Sequence, residues 1–95
     1  MQVDEFQRHI EAIYHERDKR RGLDGTFRWF IEEVGELAAA LRDEDKSTQA
    51  GEFADVLAWL STLASLRRIE LAEAVKKYSG GCPVCRAIPC DCPEK

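Results

Sequence analysis

Two acidic segments offer the most chemistry in this sequence: Glu32-Glu33-Val34-Gly35-Glu36 and Glu52-Phe53-Ala54-Asp55. Each holds two acids three residues apart, a spacing that brings side chains onto one face of a helix one turn apart. Like charges so placed repel by a few tenths of a kcal/mol. The positions four residues beyond each acid are Leu37, Ala40, Val56 and Trp59, so no Lys or Arg relieves the repulsion. Two readings follow. The acids are solvated helix faces in an acid-rich chain, or they take up a divalent cation. In the second case four carboxylates, two from each of two packed helices, supply hard oxygen ligands to a Mg²⁺ that keeps water in its shell for phosphate oxygens.

The flanking sequence predicts the helices that would position them. Val3, Phe6, Ile10 and Ile13 recur every three or four residues and predict an amphipathic helix over 3–20. Arg21-Gly22-Leu23-Asp24-Gly25 reads as a turn, with Asp24 or Thr26 as a cap. Phe27, Phe30, Val34, Leu37 and Leu41 predict a second helix from about Thr26. With Phe30 as zero the others lie within ~60° of it, whereas Glu32, Glu33 and Glu36 fall at ~200–300°. The polar stretch from Arg42 to Thr48 reads as a loop. A third helix opens near Ser47 or Thr48 and runs to about Arg67 with Phe53, Val56, Leu57, Leu60 and Leu63 as its apolar face. On it Glu52, Asp55 and Trp59 share a sector at ~200–260° from Phe53. A short fourth helix over 70–78 carries acid in its first turn and base in its last, and Ser79-Gly80-Gly81 ends it. No strand signal or repeat appears, so the expected fold is an all-α helical bundle.

Beyond Gly81 the composition changes. Residues 82–95 hold all four cysteines and all three prolines, without apolar periodicity. Cys82-Pro83-Val84-Cys85 and Cys90-Asp91-Cys92 read first as a Zn²⁺ knuckle with four sulfur ligands. An inter-subunit metal or iron-sulfur site, and free or redox-active thiols, are the alternatives. The expected organisation is a helical unit over 1–80 and a Cys-rich tail over 81–95.

Arg28, Lys76 and Lys77, together with Lys19, Arg20 and Arg21, are candidates for phosphate contacts, against the plainer reading of solvated charge. Trp29 and Trp59 share the acids' sectors and are candidates to stack on a base, although tryptophans at helical spacing more often pack or line an oligomer interface. His9 and His15 read as surface residues, with a substrate contact as the lesser reading for His9.

Composition bounds the rest. The 95 residues carry 14 Lys+Arg against 18 Asp+Glu, 14 − 18 = −4, a balance unsuited to coating a nucleic acid polymer. The longest apolar runs, Leu37–Leu41 and Val56–Leu60, are far short of a membrane span, and the acidic start Met1-Gln2-Val3-Asp4-Glu5 is no signal peptide. A cytoplasmic location is expected. So small a chain buries little surface alone and calls for a metal or a partner chain; a homodimer or homotetramer is expected.

Taken with their context, Thr26-Phe27-Arg28-Trp29-Phe30-Ile31-Glu32-Glu33-Val34-Gly35-Glu36-Leu37-Ala38 and Glu52-Phe53-Ala54-Asp55-Val56-Leu57-Ala58-Trp59-Leu60 resemble the MazG-like all-α nucleoside triphosphate pyrophosphohydrolases. The resemblance covers about residues 3–78, with the Glu-Glu-x-x-Glu and Glu-x-x-Asp motifs complete. It implies Mg²⁺-dependent cleavage between the α and β phosphates, with Mn²⁺ as a substitute metal. Glu33, Glu36, Glu52 and Asp55 match the family's metal ligands. Glu32 matches the remaining motif acid, a candidate to orient or deprotonate water. The cysteine tail departs from the family's minimal pattern. Alternatives are a pyrophosphohydrolase for another phosphate ester, of phosphoribosyl nucleotide type, or a metal-stabilised helical adaptor without turnover.

Overall fold

The computed structural model of the chain describes residues 1–94; Lys95, the last residue of the expected tail, lies outside the described residues. Helix α1 spans Val3–Asp43, α2 spans Lys46–Leu66 and α3 spans Leu71–Ala74, followed by a 3-10 turn over Val75–Tyr78. The described residues contain no strand, as the periodicity predicts. The expected fourth helix is thus one α-helical turn tightened into a 3-10 turn. Helix α1 packs along α2 and also meets α3.

The turn expected over 21–25 shrinks to one residue. Gly22 has φ 80° and ψ 176°, a backbone region open essentially only to glycine, and it divides α1 into arms over 3–21 and 23–43. Thr26, expected as a cap, is instead fully buried and accepts a hydrogen bond from Arg21 Nη1 at 3.1 Å. The loop between α1 and α2 is also shorter than expected. Asp45 caps α2 by accepting from the Thr48 N–H at 2.9 Å, and this backbone donor holds its carboxyl below the usual range.

Polar groups clamp the first arm to the end of α2. Gln7 is fully buried; its Nε2 donates to Ser65 Oγ at 3.0 Å and to the Ile69 carbonyl at 2.9 Å, and its Oε1 accepts from the Leu71 N–H at 2.9 Å. Ser65 Oγ in turn donates to Glu11 at 2.6 Å. Buried Asp18 accepts from Thr62 Oγ1 at 3.1 Å and from Arg21 Nη1 at 3.0 Å. The segment Gln7 holds leaves α2 through a Schellman motif: Ile69 N–H reaches the Ala64 carbonyl at 2.8 Å and Arg68 N–H the Ser65 carbonyl at 3.0 Å. Arg68 takes the left-handed position, with φ 57°.

The apolar faces behave otherwise than expected. Of the predicted core positions only Ile10 is buried, and Ala40 is the other buried apolar residue. Val3, Ile13, Phe27, Val34, Leu41, Phe53, Leu57 and Leu60 stay substantially exposed, Phe27 at 52% and Phe53 at 53%. The molecule is correspondingly open: its radius of gyration is 15.6 Å over 43 × 35 × 26 Å, against about 12 Å for a compact domain of this length. Two packed helices have two sides, and one chain covers one of them.

Gly22→Ala should destabilise the protein by about 1–3 kcal/mol, all of it backbone strain, because nothing lies within 4 Å of the added Cβ. Gly51→Ala, in the interior of α2 with equally open surroundings, should instead stabilise by roughly 0.5–1 kcal/mol. Urea unfolding of both variants checks the pair; an unchanged midpoint for Gly22→Ala would show that the junction tolerates an ordinary residue.

Candidate active site

Packing the second arm of α1 against α2 brings the acids of the two motifs together. Glu33 and Glu36 project from one turn of α1 and Glu52 from α2, and each offers a carboxylate oxygen such that all three lie within 4.8 Å of one another. Glu33 and Glu52 are half-buried and Glu36 is exposed. One oxygen of Glu33 and one of Glu52, both Oε2, are shut from solvent with no hydrogen-bond partner. Burial raises the pKa of Glu33 above the usual carboxylate value, and the charges of Glu36, Asp55 and Glu52 raise it further, together with a hydrogen bond to Glu36. Burial likewise raises Glu52, followed by the charges of Glu36 and Asp55.

An orphaned, shielded carboxylate oxygen facing further carboxylates lacks positive charge. Three hard oxygen donors converging from two helices suit a Mg²⁺-type cation. Asp55, one turn along α2 from Glu52, stands outside the close group of three but within its electrostatic reach. Glu32 also lies outside it, beside Arg28 and Trp29 at a shallow surface depression.

Next to the acids lies a cavity of about 260 Å³, lined among others by Tyr14, Arg17, Asp18, Arg21, Asp55 and Trp59. Trp59 stacks on Trp29 with ring centroids 6.1 Å apart and planes 15° from parallel, and the Arg21 guanidinium sits 4.8 Å from the Trp59 centroid. Both tryptophans therefore stand beside the acids, Trp59 at the cavity and Trp29 at the depression. Lys76 and Lys77 do not join them: Lys76 pairs with Glu73 at 3.0 Å, Lys77 lies 5.9 Å from the Tyr78 ring centroid, and neither lines the cavity.

The cations that do line it are Arg17 and Arg21. Sequence reasoning missed Arg17 and weighed Arg21 only as part of a charge run. The signal was present, since Ile10, Tyr14, Arg17, Asp18 and Arg21 follow helical spacing and form one stripe on the first arm. A search confined to apolar members of that stripe passes over its charged half.

The four cysteine sulfurs form a separate group, each offering an atom within 4.8 Å of the others.

Residues 21–85 match the model of the MazG nucleotide pyrophosphohydrolase domain. That span contains all five motif acids and reaches the first cysteine pair. The chain is also similar to a dATP/dGTP diphosphohydrolase of cyanophage S-2L, 36% identical over 74 residues that make up 78% of this chain and 67% of the relative. The acid-bearing helices, the cavity beside them and this family match lead to one conclusion: the chain belongs to the MazG nucleotide pyrophosphohydrolase family, hydrolases acting on nucleotide phosphoanhydride bonds.

Proposed function

We propose that the protein hydrolyses a nucleoside triphosphate between the α and β phosphates in a Mg²⁺-dependent reaction, releasing the monophosphate and pyrophosphate, with Mn²⁺ able to substitute. The observation that carries this reading is the convergence of Glu33, Glu36 and Glu52 with two shielded oxygens that no protein group satisfies. These three residues, with Asp55, hold the cation. When bound, it neutralises charge on the substrate phosphates and acidifies a water.

The protein's own groups do the rest. Glu32, outside the ligand group, orients the attacking water and accepts its proton. Arg17 and Arg21 from the cavity, and Arg28 from the depression beside Glu32, present forked donors to phosphate oxygens. The Trp29–Trp59 stack offers a flat apolar surface to a base. The name of the phage relative makes dATP and dGTP the first substrates to try. We assign this activity to residues 1–80, with 81–95 as an appended tail. We place the protein in the cytoplasm, a reducing compartment that suits four thiols grouped as for one metal; no helix among the described residues is long and apolar enough to cross a membrane.

The active form is a homodimer or homotetramer. A 260 Å³ cavity falls short of the ~300–1,000 Å³ that usually encloses a small-molecule ligand, and the exposed stripes Phe27, Val34, Leu41 and Phe53, Leu57, Leu60 supply an apolar face for a second copy.

Three outcomes are expected. With dATP and dGTP the purified protein should yield monophosphate and pyrophosphate only when Mg²⁺ or Mn²⁺ is present. Glu36→Gln and Asp55→Asn should lose this turnover while keeping their helical circular dichroism, and Glu32→Gln should slow kcat by about 10²–10⁴-fold. Diphosphate and phosphate as products, or full activity in Glu36→Gln, would refute the assignment. Sedimentation equilibrium should give two or four times the 10.8 kDa chain mass, and a monomer would remove the proposed interface.

In chelator, Glu33→Gln/Glu52→Gln should melt above the unsubstituted protein at neutral pH. Both glutamates have folded-state pKa values above their unfolded values. Their ionisation therefore penalises the folded state most above the folded values and not at all below the unfolded ones. The gap in melting temperature should close as pH falls through the raised values toward the ordinary carboxyl value of 4.5; a gap that widens on acidification would contradict the repulsion.

A further inference from the structure

The cysteine segment has no part in the proposed hydrolysis. It lacks a hydrophobic core: Val84 is 83% exposed and Ile88 82%. Fixing a residue's backbone costs about 1–2 kcal/mol, and nothing apolar here offsets it. The loop is nevertheless closely built. Arg86 N–H donates to the Cys82 carbonyl at 2.7 Å and Cys82 N–H to the Ala87 carbonyl at 3.1 Å. Gly81, at φ 112°, lets the Arg86 carbonyl oxygen come within 2.7 Å of where a Cβ would stand. Arg86 itself takes the left-handed turn at φ 69°.

The loop brings four sulfurs together. Cys82 Sγ and Cys92 Sγ are 3.8 Å apart, and Cys85 Sγ and Cys90 Sγ 3.9 Å. A disulfide needs about 2.05 Å. Four sulfurs bound tetrahedrally at about 2.3 Å from one ion are about 3.8 Å apart along each edge. The observed separations match that edge. Each close pair takes one sulfur from C-x2-C and one from C-x-C, so the two motifs interleave as a single four-ligand shell requires.

We propose that Cys82, Cys85, Cys90 and Cys92 form a structural tetrathiolate Zn²⁺ site that holds residues 81–92 in place. Backbone donors stabilise charge on the sulfurs: Asp91 N–H donates to Cys85 Sγ and Cys92 N–H to Cys90 Sγ, both at 3.3 Å. The first of these, with the Ala87 N–H, draws the Cys85 thiol down to about 6, whereas hydrogen bonds with Cys90, Cys85 and Cys82 push Cys92 up to about 11. Binding Zn²⁺ releases the protons of those thiols still protonated and leaves four Zn–S bonds with a net charge of −2 on the centre. Soft thiolates favour zinc and hard carboxylates favour Mg²⁺, so the chain carries two sites that sort two metals by chemistry.

The test uses the full chain, purified under reducing conditions without chelator. Elemental analysis should find one zinc per chain, and exchange with Co²⁺ should give the visible ligand-field and sulfur-to-metal charge-transfer bands of tetrahedral thiolate cobalt. Cys85→Ser/Cys90→Ser should lose the zinc and keep the circular dichroism of α1 and α2. The wild-type metal content and cobalt spectrum decide the matter even if that variant misfolds. Four titratable thiols with no metal, two disulfides by mass, or iron in place of zinc would each overturn the proposal. None of these results bears on the carboxylate site, whose metal dependence is read from nucleotide turnover.

Discussion

Everything proposed for the catalytic site depends on α1 and α2 holding carboxylates where electrostatics disfavours them. Glu33, Glu36 and Glu52 converge within 4.8 Å, and two of their shielded oxygens have no partner. Side chains free to choose would turn these groups to solvent. Packing shields one oxygen of Glu33 and one of Glu52, so the fold leaves an unmet demand for positive charge at one place. A divalent cation would meet that demand and in turn offer positive charge to a phosphate chain, which is how a structural cost would become binding and catalytic capacity.

The packing that maintains this arrangement is polar to an unusual degree. Gln7 ties the start of α1 to the segment leaving α2 with three hydrogen bonds, and Asp18 ties its middle to Thr62. Such contacts demand specific geometry, since a buried amide or carboxylate that loses its partner costs about 1–3 kcal/mol. They fix the register of the two helices more sharply than interchangeable aliphatic side chains would. Gly22 serves the same end. The change of direction there lets the first arm bring Arg17, Asp18 and Arg21 to the cavity while the second brings Glu33 and Glu36 to the acids of α2. Arg21 connects the two regions, reaching Asp18, Thr26 and the Trp59 ring at once.

The two candidate metal centres solve different problems. The carboxylates sit on long helices whose positions are set by packing, so an ion there would serve chemistry. The thiolates sit in a short segment with no core, so an ion there would serve folding. Softness of ligand separates the metals, and separation in the chain lets each site be altered without the other.

The helices, the acid motifs and the cysteine spacing were legible in the sequence because each rests on local periodicity or on residue type at short separation. Glu33 and Glu36, or Cys82 and Cys85, are neighbours whatever the rest of the chain does. Periodicity also placed the tryptophans in the acids' sectors, where the structure finds them stacked. It could not say which apolar stripes would be covered, and Phe27, Val34, Leu41 and Phe53 remained open because burial depends on what else packs nearby. Nor could it show that Gln7 and Asp18 would be buried, that Gly22 alone would make the turn, that Arg17 rather than Lys76 or Lys77 would line the cavity, or that Glu52 would meet Glu33. Those outcomes depend on the angle and register between helices distant in sequence. Hydrogen bonds and excluded volume fix that geometry only when the chain is folded.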